Sequence, residues 1–399
     1  MADALPVLRL GKHRDRRLRA GHSWIFSNEV DNRTSPLTAF TPGEAVLIQD
    51  ASGHNLGTGY VNPHALICAR LVSRSPKYIL DKSLLIHRLN IALSLRTRLF
   101  EKPFYRLVFG DSDGLPGLVV DRFGDVLVVQ LTTAGMERLK DDVIAALQKV
   151  ISPGAILLRN DAGTRKLEGL ESYIETAMGD IPEHVLVEEN NAHFEVSVFE
   201  GQKTGWFYDQ RSNRANMQKY VKGARVLDVF SYVGAWGIQA ILAGADSAMC
   251  VDSSARAIEA VIANASSNGA GQKITAEKED AFEMLRRLRA DREKFDVVIV
   301  DPPAFIKRKK DVTEGLKAYH RLNRMAMQVL AKDGILISCS CSYHLQSDKL
   351  REILLGASRH IDRFSQIIEH GQQGPDHPVH PGIPETEYLK AFFMRVLPA

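Results

Sequence analysis

The chain has 399 residues, 45% hydrophobic and 25% charged, with a formal net charge of +3. That length and apolar content suit two or three domains with real cores, and the near-neutral balance excludes a strongly charged scaffold. No apolar run approaches the roughly 20 residues needed to span a bilayer, and the opening MADALPVLRLGKHRDRRLRAG is too broken by charge for a secretory signal, so no membrane association is expected. Four cysteines (Cys68, Cys250, Cys339, Cys341) are too sparse for a disulfide framework, which points to a reducing cytoplasm. With no second C-x-x-C or H-x-x-x-H pair, no metal is expected either.

Residues 1–75 read as the first domain. Between Met1 and Trp24, six cations (Arg9, Lys12, Arg14, Arg16, Arg17, Arg19) face only Asp3 and Asp15. Such a run is either a solvated face or a phosphate-binding patch. Short apolar runs follow at Glu44–Gln49 and Ala65–Val72. Turn signals at Thr41-Pro-Gly43, Ser52-Gly53 and Asn62-Pro63 separate them, the pattern of a small β-rich domain.

Residues 76–197 open with a helical pattern from about Leu80 to Phe100. In GDSDGLPGLVVDRFGDVLVVQLTT, Gly110 to Thr133, turns bracket two apolar strands. The acids of Asp111-Ser-Asp-Gly114 could suggest calcium, but the later ligands of an EF-hand loop are absent and tight turns are expected. A helix near Gly135–Val150 and a strand at Ala155–Leu158 complete an α+β module.

From about Val198 to the end at 399 the rhythm changes. Strand-like runs at Arg225–Phe230, Ala248–Asp252, Ile274–Glu277, Phe295–Val300 and Gly334–Ile337 alternate with helical ones. The alternation means βαβ units and an α/β fold with a mostly parallel sheet covered on both faces. Ligands of such sheets bind beyond the carboxyl ends of the strands.

The strand ends carry the chemistry. The first, VLDVFSYVGAWG (Val226 to Gly237), is glycine-poor beside a dinucleotide loop, whose glycines let backbone approach a pyrophosphate. A cofactor without phosphate, such as S-adenosyl-L-methionine, needs less of that. The second strand ends at Asp252, placed to accept from ribose hydroxyls. The third is followed by Asp280, placed to accept from an adenine amino group. An Asp at a strand end is also a common N-cap of the next helix. The fourth ends in Asp301-Pro-Pro303, a rigid corner that cannot continue a central strand. The fifth runs into SCSCSYH, Ser338 to His344, with two of the four cysteines. Alternation along the strand points both thiols the same way, so periodicity alone cannot separate them.

The stretches Lys12–Val30 and Thr41–Pro63 resemble a PUA domain, a compact RNA-binding barrel. The last 200 residues resemble a class I S-adenosyl-L-methionine-dependent RNA methyltransferase, with a Rossmann-like, mostly parallel seven-stranded sheet. Nearly the whole chain resembles the RlmI family of ribosomal RNA (cytosine-5) methyltransferases, through GDSDGLPGLVVDRFG, EGQKTGWFYDQRSNR (Glu200 to Arg214), DVFSYVGAWG, VDSS, EDAF, DPPAF, SCSCS and DHPVHPGIPETEYLKAFFMRV. The resemblance implies a PUA-like domain over 1–75, an RNA-positioning α+β domain over 76–197 and the methyltransferase domain over 198–399. It implies that the Asp228–Phe230 turn, Tyr232 and Gly234 cradle the methionine portion, that Asp252 and Ser253 hold the ribose, and that Asp280 and Ala281 hold the adenine. Asp301 would meet the donor's amino head or the target base, and Gln210 and Arg211 would lie over the cofactor. Lys12, Arg14, Arg16, Arg17 and Arg19 would contact large-subunit ribosomal RNA, and the family allows a homodimer. Phe230 and Tyr232 depart from the general pattern by filling two positions where a glycine is expected.

Carbon methylation explains why a thiol is wanted. Cytosine C5 is a poor nucleophile until a thiolate adds at C6, which divides one hard step into easier ones. Alignment of SCSCS with the family's S-C-S places the nucleophile at Cys341, further past the sheet edge, and leaves Cys339 as core. The competing expectations are methylation of a guanine nitrogen, which needs no thiol, an idle RNA-binding assembly factor, and a small-molecule methyltransferase.

Overall fold

The structure is a computed structural model that describes residues 5–399; Asp3, counted above in the acid balance of the N-terminal run, lies outside the described residues. The chain forms two compact units. The first holds the chain up to Val185 together with Ser197–Trp206 and Pro375–Thr386, and the second holds Leu186–Val196, Phe207–Gly374 and Glu387–Ala399. No helix among the described residues is long and apolar enough to cross a membrane.

In the first unit, strands Val7–Arg9, Trp24–Phe26, Glu44–Gln49, Asn55–Val61 and Ile67–Ser73 form a five-stranded sheet. Its core is built from Leu8, Leu10, Ile25, Val46, Ile48 and Cys68. The last of these strands starts at Ile67 rather than Ala65, because Ala65 N donates to Asn62 O and is used up in the turn. A second five-stranded sheet spans Phe104–Met178. Helix Lys82–Leu99 packs with helix Lys140–Ile151. The single helix expected at Gly135–Val150 is two, Ala134–Arg138 and Lys140–Ile151, since Leu139 leaves helical geometry at φ −101°, ψ 17°. The acids of the 111–114 turn serve as hydrogen-bond acceptors: Asp113 takes two 2.7 Å bonds from the buried Arg96, and Asp111 accepts from Trp24 Nε1 at 2.9 Å.

The second unit contains α1 (Arg211–Met217), β1 (Arg225–Val229), α2 (Ala235–Leu242), β2 (Ser247–Asp252), α3 (Ala255–Ser267), β3 (Ile274–Lys278), α4 (Ala281–Ala290), β4 (Phe295–Val300), α5 (Val312–Gln328), β5 (Leu330–Ser340), α6 (Ser347–Arg359), β6 (Arg363–Gln372) and β7 (Lys390–Pro398). These seven strands form one sheet in the order β3-β2-β1-β4-β5-β7-β6, apart from the hairpin of Val185–Glu189 and Ala192–Val196. The first five are parallel and β7 runs antiparallel between β5 and β6. Val226, Leu227 and Val229 on β1 and Val297–Val300 on β4 are buried throughout, as expected of central strands covered on both faces. β5 is far longer than the Gly334–Ile337 run suggests. Its antiparallel pairing with β7 runs continuously from Gly334↔Val396 to Ser340↔Lys390 and carries the strand outward to the cysteines.

Candidate active site

The carboxyl ends of β1, β2, β4 and β5 define the site, and each is set by local chemistry. After β1 the chain turns through three left-handed residues, Phe230 (φ 68°), Tyr232 (φ 49°) and Gly234 (φ 84°). For the two aromatic residues this conformation costs on the order of 1–3 kcal/mol each and persists only where the surroundings dictate it. They do: Phe230 N and Ser231 N both donate to Val251 O at 3.0 Å, and Tyr232 N donates to Asp252 Oδ2 at 3.0 Å. The two non-glycine residues thus take up the backbone shape that glycine would otherwise supply.

Asp228 lies beneath this turn, fully buried, with Oδ2 accepting from Gly237 N at 3.0 Å. Only glycine fits at 237, because a Cβ there would fall 2.5 Å from Cys250 Sγ. Burial pushes the Asp228 carboxyl up to about 7, and the negative charges of Asp301 and Asp252 push the same way. Its Oδ1 has no hydrogen-bond partner among the described residues.

Asp252 closes β2, with Oδ1 accepting from Ser254 N at 2.9 Å; each carboxylate oxygen keeps a further lone pair. Ser253 beside it is exposed. Asp280 is exposed and is the N-cap of α4, accepting from Phe282 N at 2.9 Å and Glu283 N at 3.2 Å, while Ala281 is buried. The N-cap reading of Asp280 is therefore realised, and only its remaining lone pairs are left for a ligand.

Asp301 draws three elements together. Its Oδ1 accepts from Gln210 Nε2 at 2.9 Å, its Oδ2 from Trp236 Nε1 of α2 at 3.2 Å, and its own N donates to Val229 O at 3.4 Å. The Gln210 amide is fixed in turn, since its Oε1 accepts from Asn213 Nδ2 at 2.6 Å. Arg211, expected beside Gln210, is engaged elsewhere: its Nε lies 3.5 Å from Glu189, and its guanidinium sits over the Tyr208 ring at 5.2 Å.

The alternation of SCSCS separates serines from cysteines. Ser340 Oγ donates to Tyr319 OH at 2.9 Å, Tyr319 OH pairs with Ser342 Oγ at 2.9 Å, and Ser342 Oγ accepts from Ile306 N at 3.2 Å. This buried network fixes the backbone on both sides of Cys341 to α5 and to the segment after Asp301-Pro-Pro303. Cys339 is wholly buried on β5, and burial pushes its thiol well above the ordinary range. Cys341 lies one residue past the strand and is only partly buried. Lys390, the first residue of β7, donates from Nζ to Ser342 O at 2.8 Å.

Sequence reasoning missed Trp236, Tyr319 and Lys390. Lys390 left a readable sign, a lone cation inside the apolar run YLKAFFM. It also missed Lys307, Arg308, Lys309 and Lys310, an exposed cationic run close behind Asp301-Pro-Pro303. In the first unit, the expected five-cation patch is partly neutralised. Arg17 pairs with Glu29 at 3.0 Å and Arg19 pairs with Asp15 and Asp50, while Lys12, Arg14 and Arg16 are exposed.

Comparison with known proteins agrees with this geometry. Residues 8–74 match the PUA-like domain family, and residues 212–341 match the family described as Conserved hypothetical protein 95. A candidate S-adenosylmethionine-dependent methyltransferase of Streptococcus mutans superposes with a TM-score of 0.83 at 21% identity, covering 98% of this chain and 100% of that one. A candidate methyltransferase complexed with SAH superposes with a TM-score of 0.84 at 22% identity, over the same shares. These likenesses establish the class I methyltransferase fold behind a PUA-like domain. The ribosomal RNA large subunit methyltransferase I of Erwinia tasmaniensis is 36% identical over 393 residues, 97% of this chain and 98% of that protein. At that identity over essentially the full length of both proteins, the chain belongs to the ribosomal RNA large subunit methyltransferase I family.

Proposed function

We propose that the chain transfers a methyl group from S-adenosyl-L-methionine to C5 of a cytosine in large-subunit ribosomal RNA, through a covalent bond between Cys341 and C6. The observation that carries this reading is the contrast between the two thiols. Cys339 is sealed in the core, whereas Cys341 is partly open at the end of β5 with its backbone held on both sides. Methylation of a base nitrogen gives no reason to build a partly open thiol on so rigid a mount.

The residues present suit the donor. The left-handed turn at 230–234 and the open lone pairs of Asp252 fit an amino-acid head and a ribose diol, with Ser253 on the ribose side and Asp280 and Ala281 on the adenine side. S-adenosylmethionine supplies an electrophilic methyl when bound. Cys341 Sγ adds to C6, the electron pair of the C5–C6 double bond moves to C5, and C5 becomes nucleophilic. Once C5 carries the methyl, loss of its proton restores the double bond and expels Sγ. Asp301, held by Gln210 and Trp236, is preorganised at the strand end next to these events. The exposed cations Lys12, Arg14 and Arg16, and separately Lys307–Lys310, supply charge for the RNA backbone.

The test is mass spectrometry of ribosomal RNA from cells lacking the protein. One 5-methylcytosine should be missing from the large-subunit RNA and return with the parent gene but not with Cys341→Ala. Loss of a methylated guanine instead would move the chain into the nitrogen-methylating class.

A further inference from the structure

We propose that Lys390 is a positioning residue that keeps Cys341 in its reactive thiolate form. The geometry is direct. β7 begins at Lys390, paired opposite Ser340, the residue before Cys341, and its ammonium is fixed on the carbonyl of Ser342, the residue after it. One of three N–H groups is used by that 2.8 Å bond, which leaves the charge beside the thiol without consuming it. A lysine at this point is costly, since the residues that follow it on β7, Ala391 to Met394, are all buried. An uncharged side chain could hold the same carbonyl, so the charge itself wants an explanation.

The electrostatics of the neighbourhood supply one. Burial pushes the Lys390 ammonium down to about 8, opposed by the negative charges of Cys341 and Glu387. Below that pH the side chain carries its proton, so at neutral pH an ammonium stands beside Cys341. Other groups that sense the thiols are Tyr319 on α5, kept neutral by burial, and, at Cys339, Asp301 at the end of β4, whose charge disfavours a thiolate, and Arg214 on α1, whose charge favours one. Lys390 is the cation held against the backbone on both sides of Cys341, and its charge lets Cys341 ionise. An opposite charge within a few ångströms favours the ionised form by about 1–3 pH units, and a thiol left to itself ionises near about 8.5.

The inference rests on the proposed function only in making Cys341 the working thiol, and its test reads that thiol without methylation. The full-length chain is alkylated with iodoacetamide across pH 6–10 and the labelled peptides are quantified, with buried Cys339, Cys250 and Cys68 as internal references. Lys390→Gln, which keeps a donor for Ser342 O but no charge, should move the Cys341 midpoint up by about one pH unit or more. Lys390→Arg should restore most of the shift. With RNA as substrate, Lys390→Gln should lower kcat with little change in KM. Lys390→Met serves as a second uncharged variant, in which relief of a partly buried charge offsets the lost bond to Ser342 O, and it should melt close to the parent. An unshifted midpoint in both uncharged variants overturns the proposal. A shifted midpoint in a protein that never forms a covalent RNA adduct would leave the role of Lys390 standing and remove the cytosine reading instead.

Discussion

Asp228 and Asp252 sit at the ends of neighbouring strands, yet burial gives them opposite uses. Asp228, pushed up to about 7, holds a proton in the folded chain at pH values where the unfolded chain has released it. Stability should therefore fall as pH rises from about 4 to about 7, by about 1.4 kcal/mol per unit, and level off above. Thermal unfolding of the unliganded chain at pH 5 and pH 8 checks this: Asp228→Asn should lose clearly less stability between the two than the parent, and an equal loss would refute the linkage. Asp252 is partly exposed and its carboxylate is available for charge-assisted bonds of roughly 1.5–3 kcal/mol. Asp252→Ala should weaken S-adenosylmethionine binding by about tenfold to a hundredfold in calorimetry, and an unchanged dissociation constant would place the ribose elsewhere. At this scale the acids were legible because strand ends are legible. What Phe230 and Tyr232 do was half legible: their occupation of glycine positions could be read, but not that the Val251 and Asp252 acceptors hold them left-handed.

Among the elements, β5 decides where the thiol stands. Ser340 at its end and Ser342 just beyond it bond the Tyr319 hydroxyl on α5, so strand, helix and the segment after the Asp301-Pro-Pro303 corner share one buried hydrogen-bond network. Tyr319→Phe would take the shared hydroxyl partner from two buried serines, which keep only backbone donors, and we expect a loss of about 1–3 kcal/mol in denaturant unfolding. Turnover should fall while cofactor affinity holds, because the proposed donor pocket lies at other strand ends. Wild-type stability in the Phe variant would mean that the serines find other partners and the network is not what seats Cys341. The five parallel strands were readable from periodicity because each is a short apolar run between helices. The true length of β5 was not, since it is set by pairing with β7, some fifty residues on, and long-range pairing leaves no local mark. The same holds for the break at Leu139, where the apolar spacing continues while the backbone departs from the helix.

At the scale of the whole molecule, the chain does not run through its units end to end. Ser197–Trp206 and Pro375–Thr386 belong to the first unit although their sequence neighbours belong to the second. The change of rhythm near Val198 was visible, but such returns of the chain leave no mark in the pattern of strand-like and helical runs. The N-terminal cations show a similar limit: six appear in the sequence, yet folding brings Glu29 and Asp50 against Arg17 and Arg19. Exchange of Lys12, Arg14 and Arg16 for Gln should flatten the salt dependence of RNA binding by about 0.7–0.9 per lost phosphate contact. The same exchange at Arg17 and Arg19 should do less, and an identical slope for all variants would reduce the run to a solvated face.

The central claim, that Cys341 attacks the base and Cys339 does not, is tested most directly with target RNA carrying 5-fluorocytosine. Fluorine cannot leave C5 as a cation, so after methylation the elimination stalls with protein and RNA joined through sulfur. The parent and Cys339→Ala should each form an adduct that survives denaturation and maps to Cys341. Cys341→Ala should form none and lose turnover while keeping cofactor affinity. An adduct mapping to Cys339, or normal methylation by Cys341→Ala, would contradict the account.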